Sequence, residues 1–358
     1  MNVLSMFDGM SGGQLSFQRA GLKVDKYYSC EIDKYAQAVT KANFPDTIFL
    51  GDVTKVDFSK LKDIDIIIAG SPCQDVSFSG KGAGLEGARS SLFYKVVEAI
   101  KVCKPEYFLL ENVKMKKEYQ DIISSLLKVE PVFINSKDFS AQNRQRLYWT
   151  NIPVRPWTDK GLVLKDILEV AGHVDRDKSF CLDANYWKGG NLKSYFEKNR
   201  RQLVFNRCLQ VGEADIKGLE IVRLDKHSST VGLKCVGALT KTKKWLDNGK
   251  NLQRNFSQGE RIYSDEGKSP TISAHSGGTA GVGNTLITDD IETLKWRKLT
   301  PIECERLQTV PDNYTSKGIM DDKEVKISNT QRYKMLGNGW TIDVIAHIFG
   351  SLQKGEIW

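Results

Sequence analysis

The sequence has no CxxC pair, no long apolar run, little histidine and no internal repeat. Its seven cysteines (30, 73, 103, 181, 208, 235, 304) stand singly among 358 residues. That excludes a disulfide framework and fits reduced thiols in a cytoplasm. Only four histidines are present and none lies near a cysteine pair, so no zinc site or other metal is expected. No wholly apolar stretch is longer than the four residues Ile66 to Ala69, far below the ~20 needed to cross a bilayer. The N-terminal MNVLSMFDGM lacks a basic segment followed by an apolar one, so no export, no membrane partner and a cytoplasmic location are expected. What is there is a chain long enough for two domains with 40% hydrophobic residues, which excludes disorder.

Charge is unevenly placed. The whole chain carries +8, yet between Lys188 and Arg261 there are 16 Lys and Arg against 7 Asp and Glu, so one segment holds the entire basic surplus. Cations interleaved with Trp245, Phe256 and Tyr263 suit a surface that neutralises phosphates and offers stacking contacts to bases. A solvated basic face explains the same charge equally well.

To about residue 150, short β-rich runs (2–6, 24–30, 47–50, 64–69, 106–110, 131–139) alternate with amphipathic stretches (13–20, 33–43, 90–103, 115–128). The alternation predicts an α/β fold with a doubly wound, mostly parallel sheet, the second helix opening on Asp33 as N-cap and ending near Pro45. Ligands then bind beyond the carboxyl ends of the strands. From about 172 the texture turns rich in Gly, Asn, Ser and Lys with short β segments, and QGERIYSDEGKSPTISAHSGG reads as a hairpin with exposed loops. The expected division is a cofactor-binding catalytic domain over 1–171, a smaller β-rich recognition domain over 172–329, and a C-terminal helix over 330–358 that returns to the first domain. QRYKMLGNGWTIDVIAHIFGSL supplies that amphipathic helix and the Gly-rich turn before it.

The strand ends carry the chemistry. The first runs into FDGMSGG, where Gly9, Gly12 and Gly13 make a turn that lets backbone approach a ligand at a helix N-terminus. Glu31 ends the second strand, where an acid can take two ribose hydroxyls, and Asp52 follows the third, placed for an adenine amino group. Together they suggest a nucleoside cofactor. A surface charge at Glu31 and a helix cap at Asp52 are the plain alternatives.

After the fourth strand comes GSPCQDVSFSGKGAGLEGARSSLF. Free cysteine is ordinarily a small buried hydrophobe. Cys73 departs from that, sitting at a strand end ahead of a loop with Lys81 and Arg89, a setting that favours a thiolate and a closing lid. The fifth strand ends in Glu111, whose half-buried carboxyl can donate a hydrogen bond. The pair has a chemical reading. Cytosine C5 is a poor nucleophile until a thiolate adds at C6, and that addition needs a proton donor near N3.

At this point the chain resembles the DNA (cytosine-5)-methyltransferases of bacteria and phages. The matching strings, in order along nearly the whole chain, are FDGMSGG, EIDKYA, GDVTKVD, GSPCQDVSFSGKGAG, ENV, QNRQRLY, RKLTPIECERLQTVPD and GNGWTIDVI. The resemblance implies that Phe7, Asp8, Gly9, Gly12 and Gly13 of the first string bind S-adenosylmethionine, released as S-adenosylhomocysteine. Glu31, Ile32, Asp52 and Val53 would line the same pocket, with Pro72 and Leu92 alongside and Asn338, Gly339 and Trp340 closing it. Cys73 would be the nucleophile, Glu111 the residue on the cytosine, and Arg144 and Arg146 a basic pair orienting base and carboxyl; two residues apart, they would face one side of a strand. The base would be flipped from the duplex, because C5 and C6 are inaccessible within the stack.

By the same resemblance Gln74, Ser77, Ser79, Lys81 and Arg89 would meet DNA. In the second domain Gln258 would fill the hole left by the base and Arg261 would read a guanine edge. Thr271, Ser273, His275, Gly277 and Gly278 would belong to a second recognition loop. A phosphate contact or a hairpin salt bridge serves Arg261 equally. Double-stranded DNA is the implied partner, a monomer the implied state, and a restriction endonuclease acting independently in a restriction-modification system is allowed. Three departures stand out: FDGMSGG is one residue longer than the common FAGxGG, Ile32 replaces a frequent aromatic, and GNGW replaces GNSV, leaving Gly339 no side-chain hydrogen bond. A tRNA cytosine methyltransferase and a catalytically silent DNA-binding relative are the alternatives; a nicotinamide dehydrogenase is disfavoured by the missing glycine fingerprint.

Overall fold

The run Ile66 to Ala69 lacks polar alternation because both of its faces are covered. Ile66 and Ile68 point to one apolar cluster with Val3, Phe17 and Phe349, while Ile67 and Ala69 point to the other with Leu4, Phe93 and Leu110. A strand sandwiched between helix layers has no solvent face to mark with polar residues.

The computed structural model describes residues 1–71, 92–190, 192, 195, 198–205 and 296–353, together with the strand backbones at 235–238, 261–263 and 286–287. Contacts divide the chain into two units, one of residues 1–162, 182–187 and 301–358, the other of 163–181 and 188–300. In the first unit the chain forms β1 (Asn2–Met6), α1 (Gly12–Arg19), β2 (Lys26–Cys30), α2 (Lys34–Asn43), β3 (Ile48–Phe49) and β4 (Ile66–Gly70). It continues through α3 (Phe93–Cys103), β5 (Tyr107–Val113), α4 (Lys117–Leu127), β6 (Val132–Asn135) and β7 (Gln145–Thr150). These strands make one seven-stranded sheet in the order β3-β2-β1-β4-β5-β7-β6. Only β7 runs against its neighbours. Asp33 caps α2 as its position in the sequence predicts, accepting from the amides of Tyr35 and Ala36. The sixth strand is shorter than 131–139, because the Asn135 side chain accepts from the Lys137 amide and turns the chain into a 3-10 turn.

In the second unit β8 (Leu203–Phe205) pairs with β12 (Trp296–Lys298). The backbones of β9 (Cys235–Ala238), β10 (Arg261–Tyr263) and β11 (Leu286–Ile287) form a small sheet. The rest of the hairpin expected around β10 lies outside the described residues.

Back in the first unit are α5 (Pro301–Leu307), the hairpin β13 (Lys317–Met320) and β14 (Lys323–Lys326), α6 (Asn329–Asn338) and α7 (Ile342–Gly350). Residues 301–329 therefore group with the large sheet, whereas the expected recognition domain extended to 329. The reason is packing: Gly318 of β13 lies so close to α2 that an added Cβ would come 2.8 Å from the Ala38 Cβ. QRYKML is itself helical, and the Gly-rich turn separates two helices. α7 covers the sheet beside α1, with Phe349 stacked on Phe17 at 4.2 Å between ring centroids.

α6, which carries the GNGW turn, is fixed by a buried ion pair. The Arg332 guanidinium donates to Glu305 Oε1 at 2.9 Å and to Thr315 Oγ1 at 2.9 Å, and Glu305 also accepts from the amides of Asn313 and Thr315. Arg332→Ala strands a buried carboxylate and is expected to lower stability by about 3–5 kcal/mol. Urea unfolding checks this; a loss below ~1 kcal/mol would show the pair to be dispensable.

Candidate active site

The carboxyl ends of β1, β2, β4 and β5 open onto a cavity of about 560 Å³, at the edge where a parallel sheet presents its ligands. Phe7, Gly9 and Ser11 in the turn after β1 all adopt left-handed backbone (φ 61°, 61° and 57°). Gly9 accepts this freely, whereas a bulky Phe7 does so at a cost of order 1–3 kcal/mol, and such strain concentrates at functional sites. The turn is held from below by Asp8. Its carboxylate oxygens accept from the hydroxyls of Ser5, Ser11, Tyr27 and Ser29 at 2.5–2.8 Å. Burial raises its pKa above the usual carboxylate range, and the four hydroxyls oppose that rise. Asp8 and Gly12 line the cavity but Gly13 is not among its walls. A Cβ on Gly13 would come 2.4 Å from Ile68 Cδ1, so this glycine lets α1 close on the sheet.

Glu31 faces the same space. Its Oε2 accepts from the Gly9 amide at 2.7 Å and its Oε1 from the amides of Ile32 and Asp33 at 2.8 and 2.7 Å. Desolvation raises its pKa despite those bonds. Ile32 beside it is 77% exposed, an apolar side chain at the cavity wall. Asp52 accepts from the Thr54 amide and hydroxyl, which caps a short 3-10 turn and lowers its pKa. That is the capping geometry its sequence position allowed, realised on the cavity wall next to Val53. Cys30 also lines the cavity, but burial and the nearby acids Asp8, Asp52 and Glu31 push its thiol up to about 12, so it stays protonated.

Glu111, 9% exposed, stands on β5 next to Gly70 of β4 in register. The antiparallel β7 sets Arg146 opposite Val113, hence diagonal to Glu111 on one face. Arg146 Nε reaches Glu111 Oε1 at 2.7 Å. The Trp340 indole N–H donates to Glu111 Oε2 at 3.2 Å. Arg144, one residue ahead of β7, is buried and donates to the carbonyls of Leu182 (3.1 Å) and Gly339 (2.8 Å). The two arginines thus serve different places although both line the cavity. Asn112 donates to Ser71 Oγ at 3.1 Å, tying β5 to the residue at which the chain leaves β4.

Leu92, Asn338, Gly339 and Trp340 complete the walls. Lys334, which sequence reasoning passed over, is there too, with its Nζ 2.6 Å from Asp33 Oδ2. Its signal was available: Lys334 and Asn338 are four apart on one helix and share a face. Met10, Asn112 and Ser71 are further walls without such a signal. Pro72, Cys73, Gln74, Ser77, Ser79, Lys81, Arg89, Gln258, Thr271, Ser273, His275, Gly277 and Gly278 lie outside the described residues. Arg261 begins β10, of which the backbone is described. Among the described residues no cluster of His, Cys, Asp and Glu could hold a metal, and no helix is long and apolar enough to cross a membrane.

A family model described as C-5 cytosine-specific DNA methylase matches residues 1–354. The type II methyltransferase M.HhaI of Haemophilus parahaemolyticus is 30% identical over 350 residues, covering 97% of this chain and 93% of that protein. The orphan methyltransferase M.Rho11sI of Bacillus phage rho11s is 29% identical over 315 residues, 80% of this chain and 60% of that protein's length. Among solved structures, the Entamoeba histolytica methyltransferase EhMeth superposes with a TM-score of 0.58 at 14% identity, covering 99% of both chains, a likeness of fold.

Proposed function

The chain belongs to the C-5 cytosine-specific DNA methylase family, and from that premise we propose that it methylates C5 of a cytosine in a specific duplex DNA sequence, using S-adenosylmethionine. The observation that carries the reading furthest is the Glu111–Arg146 pair, closed at 2.7 Å, on the wall of the same cavity that Glu31, Ile32 and Asp52 line. The cavity residues fit the cofactor chemically. Exposed Ile32 offers an aliphatic shelf to adenine, Glu31 a carboxylate to ribose hydroxyls, Asp52 an acceptor to the adenine amine, and the Phe7 to Gly9 turn backbone to the amino-acid end. Val53, Leu92 and Asn338 would enclose it. When bound, the cofactor supplies an electrophilic methyl group on a sulfonium.

The chain's own residues do the rest. With the cytosine flipped out of the stack, the Cys73 thiolate forms a bond to C6, and the displaced ring electrons make C5 nucleophilic. Glu111 holds N3 and the exocyclic amine, and Arg146 fixes the carboxyl. After C5 is methylated, a base or water removes the C5 proton, the C6–S bond breaks and the thiolate returns. The basic segment from Lys188 to Arg261 faces duplex phosphates in this reading. No restriction partner and no second copy are needed for these steps.

Incubating the protein with tritiated S-adenosylmethionine and a mixed-sequence duplex, followed by bisulfite sequencing, tests the proposal. Label at cytosines of one recurring context is expected. Label in tRNA with none in DNA, or silence on both, would overturn it. Within the second unit, Arg261→Ala is expected to relax the choice at one base pair, by ~1–3 kcal/mol between right and wrong base. Equal weakening on every sequence in a binding competition would make Arg261 a phosphate contact.

A further inference from the structure

We infer that Trp340 is a positioning residue for Glu111, and that the glycine at position 70 exists to let it reach. The inference rests on the proposed part of Glu111 in the reaction. Each carboxylate oxygen of Glu111 has its own donor from a different part of the chain: Oε1 takes Arg146 Nε at 2.7 Å and Oε2 takes the Trp340 indole at 3.2 Å. Two donors on two oxygens fix the plane of a carboxyl as well as its place, where a single donor leaves it free to rotate.

Trp340 reaches Glu111 by lying over Gly70, which is Glu111's register partner on the neighbouring strand. A Cβ at position 70 would come 2.9 Å from the indole Nε1 and 3.4 Å from Cε2 and Cζ2. The turn that carries Trp340 is itself pinned. The Gly339 carbonyl accepts from Arg144 Nη2 at 2.8 Å and Gln308 Nε2 at 3.2 Å, and the Gly339 amide donates to Met335 at 2.8 Å. Buried Arg144 thereby supports Glu111 at one remove, through the turn. The substitution of GNGW for GNSV also acquires a physical content: the side chain missing at Gly339 is answered by an indole donor at the next position, where valine has none.

The test measures single-turnover methyl transfer at saturating cofactor and duplex, with cofactor affinity measured separately. Trp340→Phe keeps an aromatic ring and removes the donor; a single-turnover rate about tenfold lower at saturating cofactor is expected. In a Glu111→Gln background the same change should cost little more, because the two act as a unit. Gly70→Ala should slow the reaction similarly in the parent chain and cost nothing further beside Trp340→Val, where the clash is gone. Wild-type rates for Trp340→Phe, or losses that multiply in full with those of Glu111→Gln, would overturn the inference alone. A Glu111→Gln variant at full rate would overturn the reading of Glu111 and this inference with it.

Discussion

Cys73→Ala is expected to abolish turnover, lowering single-turnover methylation on the order of 10⁴-fold or more, while cofactor and duplex DNA still bind. The magnitude follows from the substrate. Without a bond to C6, C5 of cytosine has too little electron density to attack a methyl group. Cys30, the thiol that lines the cavity, is no substitute, because burial and its acidic neighbours push its pKa up to about 12. A thiol of ordinary pKa ~8.5 is by contrast roughly a tenth ionised near pH 7.5. Calorimetry with the cofactor and gel shifts with a cognate duplex separate binding from chemistry. Methylation by the alanine variant at near-normal rates would refute the covalent route.

Glu111→Gln is expected to slow methyl transfer by about 10²–10⁴-fold, the range of a lost general acid. Glutamine matches the shape, so binding should survive. It cannot exchange a proton with N3 as a carboxyl group can, and it removes the charge to which Arg146 is paired at 2.7 Å. Single-turnover rates at saturating cofactor report the effect directly, and an unchanged rate would remove Glu111 from the chemistry. A fall in affinity with an unchanged rate would assign it to holding the base alone.

Six of the seven strands were legible because helix and strand periods alternate to about residue 139, whereas β7 was not placed among them. Glu31 and Asp52 stood out as acids following short strands, although a helix cap explained Asp52 as well. Local sequence could not show that Asp8 gathers four hydroxyls beneath the turn, since Ser5, Ser11, Tyr27 and Ser29 converge on it only once β1 and β2 pair. Nor could spacing separate Arg144 from Arg146. Their alternation suggested a pair, but β7 begins between them, so one guanidinium follows the strand to Glu111 and the other enters the turn beside Gly339. The bond from Trp340 to Glu111 spans 229 positions, a separation at which residue type alone carries no signal. Residues 301–329 pack with the first unit because β13 lies against α2, a partner far upstream in sequence.

The position of α6 and α7 has a consequence for synthesis. A ribosome delivers residues 329–350 after every strand of the large sheet, yet these residues supply Asn338, Gly339 and Trp340 to the cavity and cover Val3, Ile66 and Ile68 through Ile345, Ile348 and Phe349. A nascent chain without them leaves one face of the sheet uncovered and the pocket unfinished. The cavity wall is therefore completed only after α6 and the turn that follows it have been made.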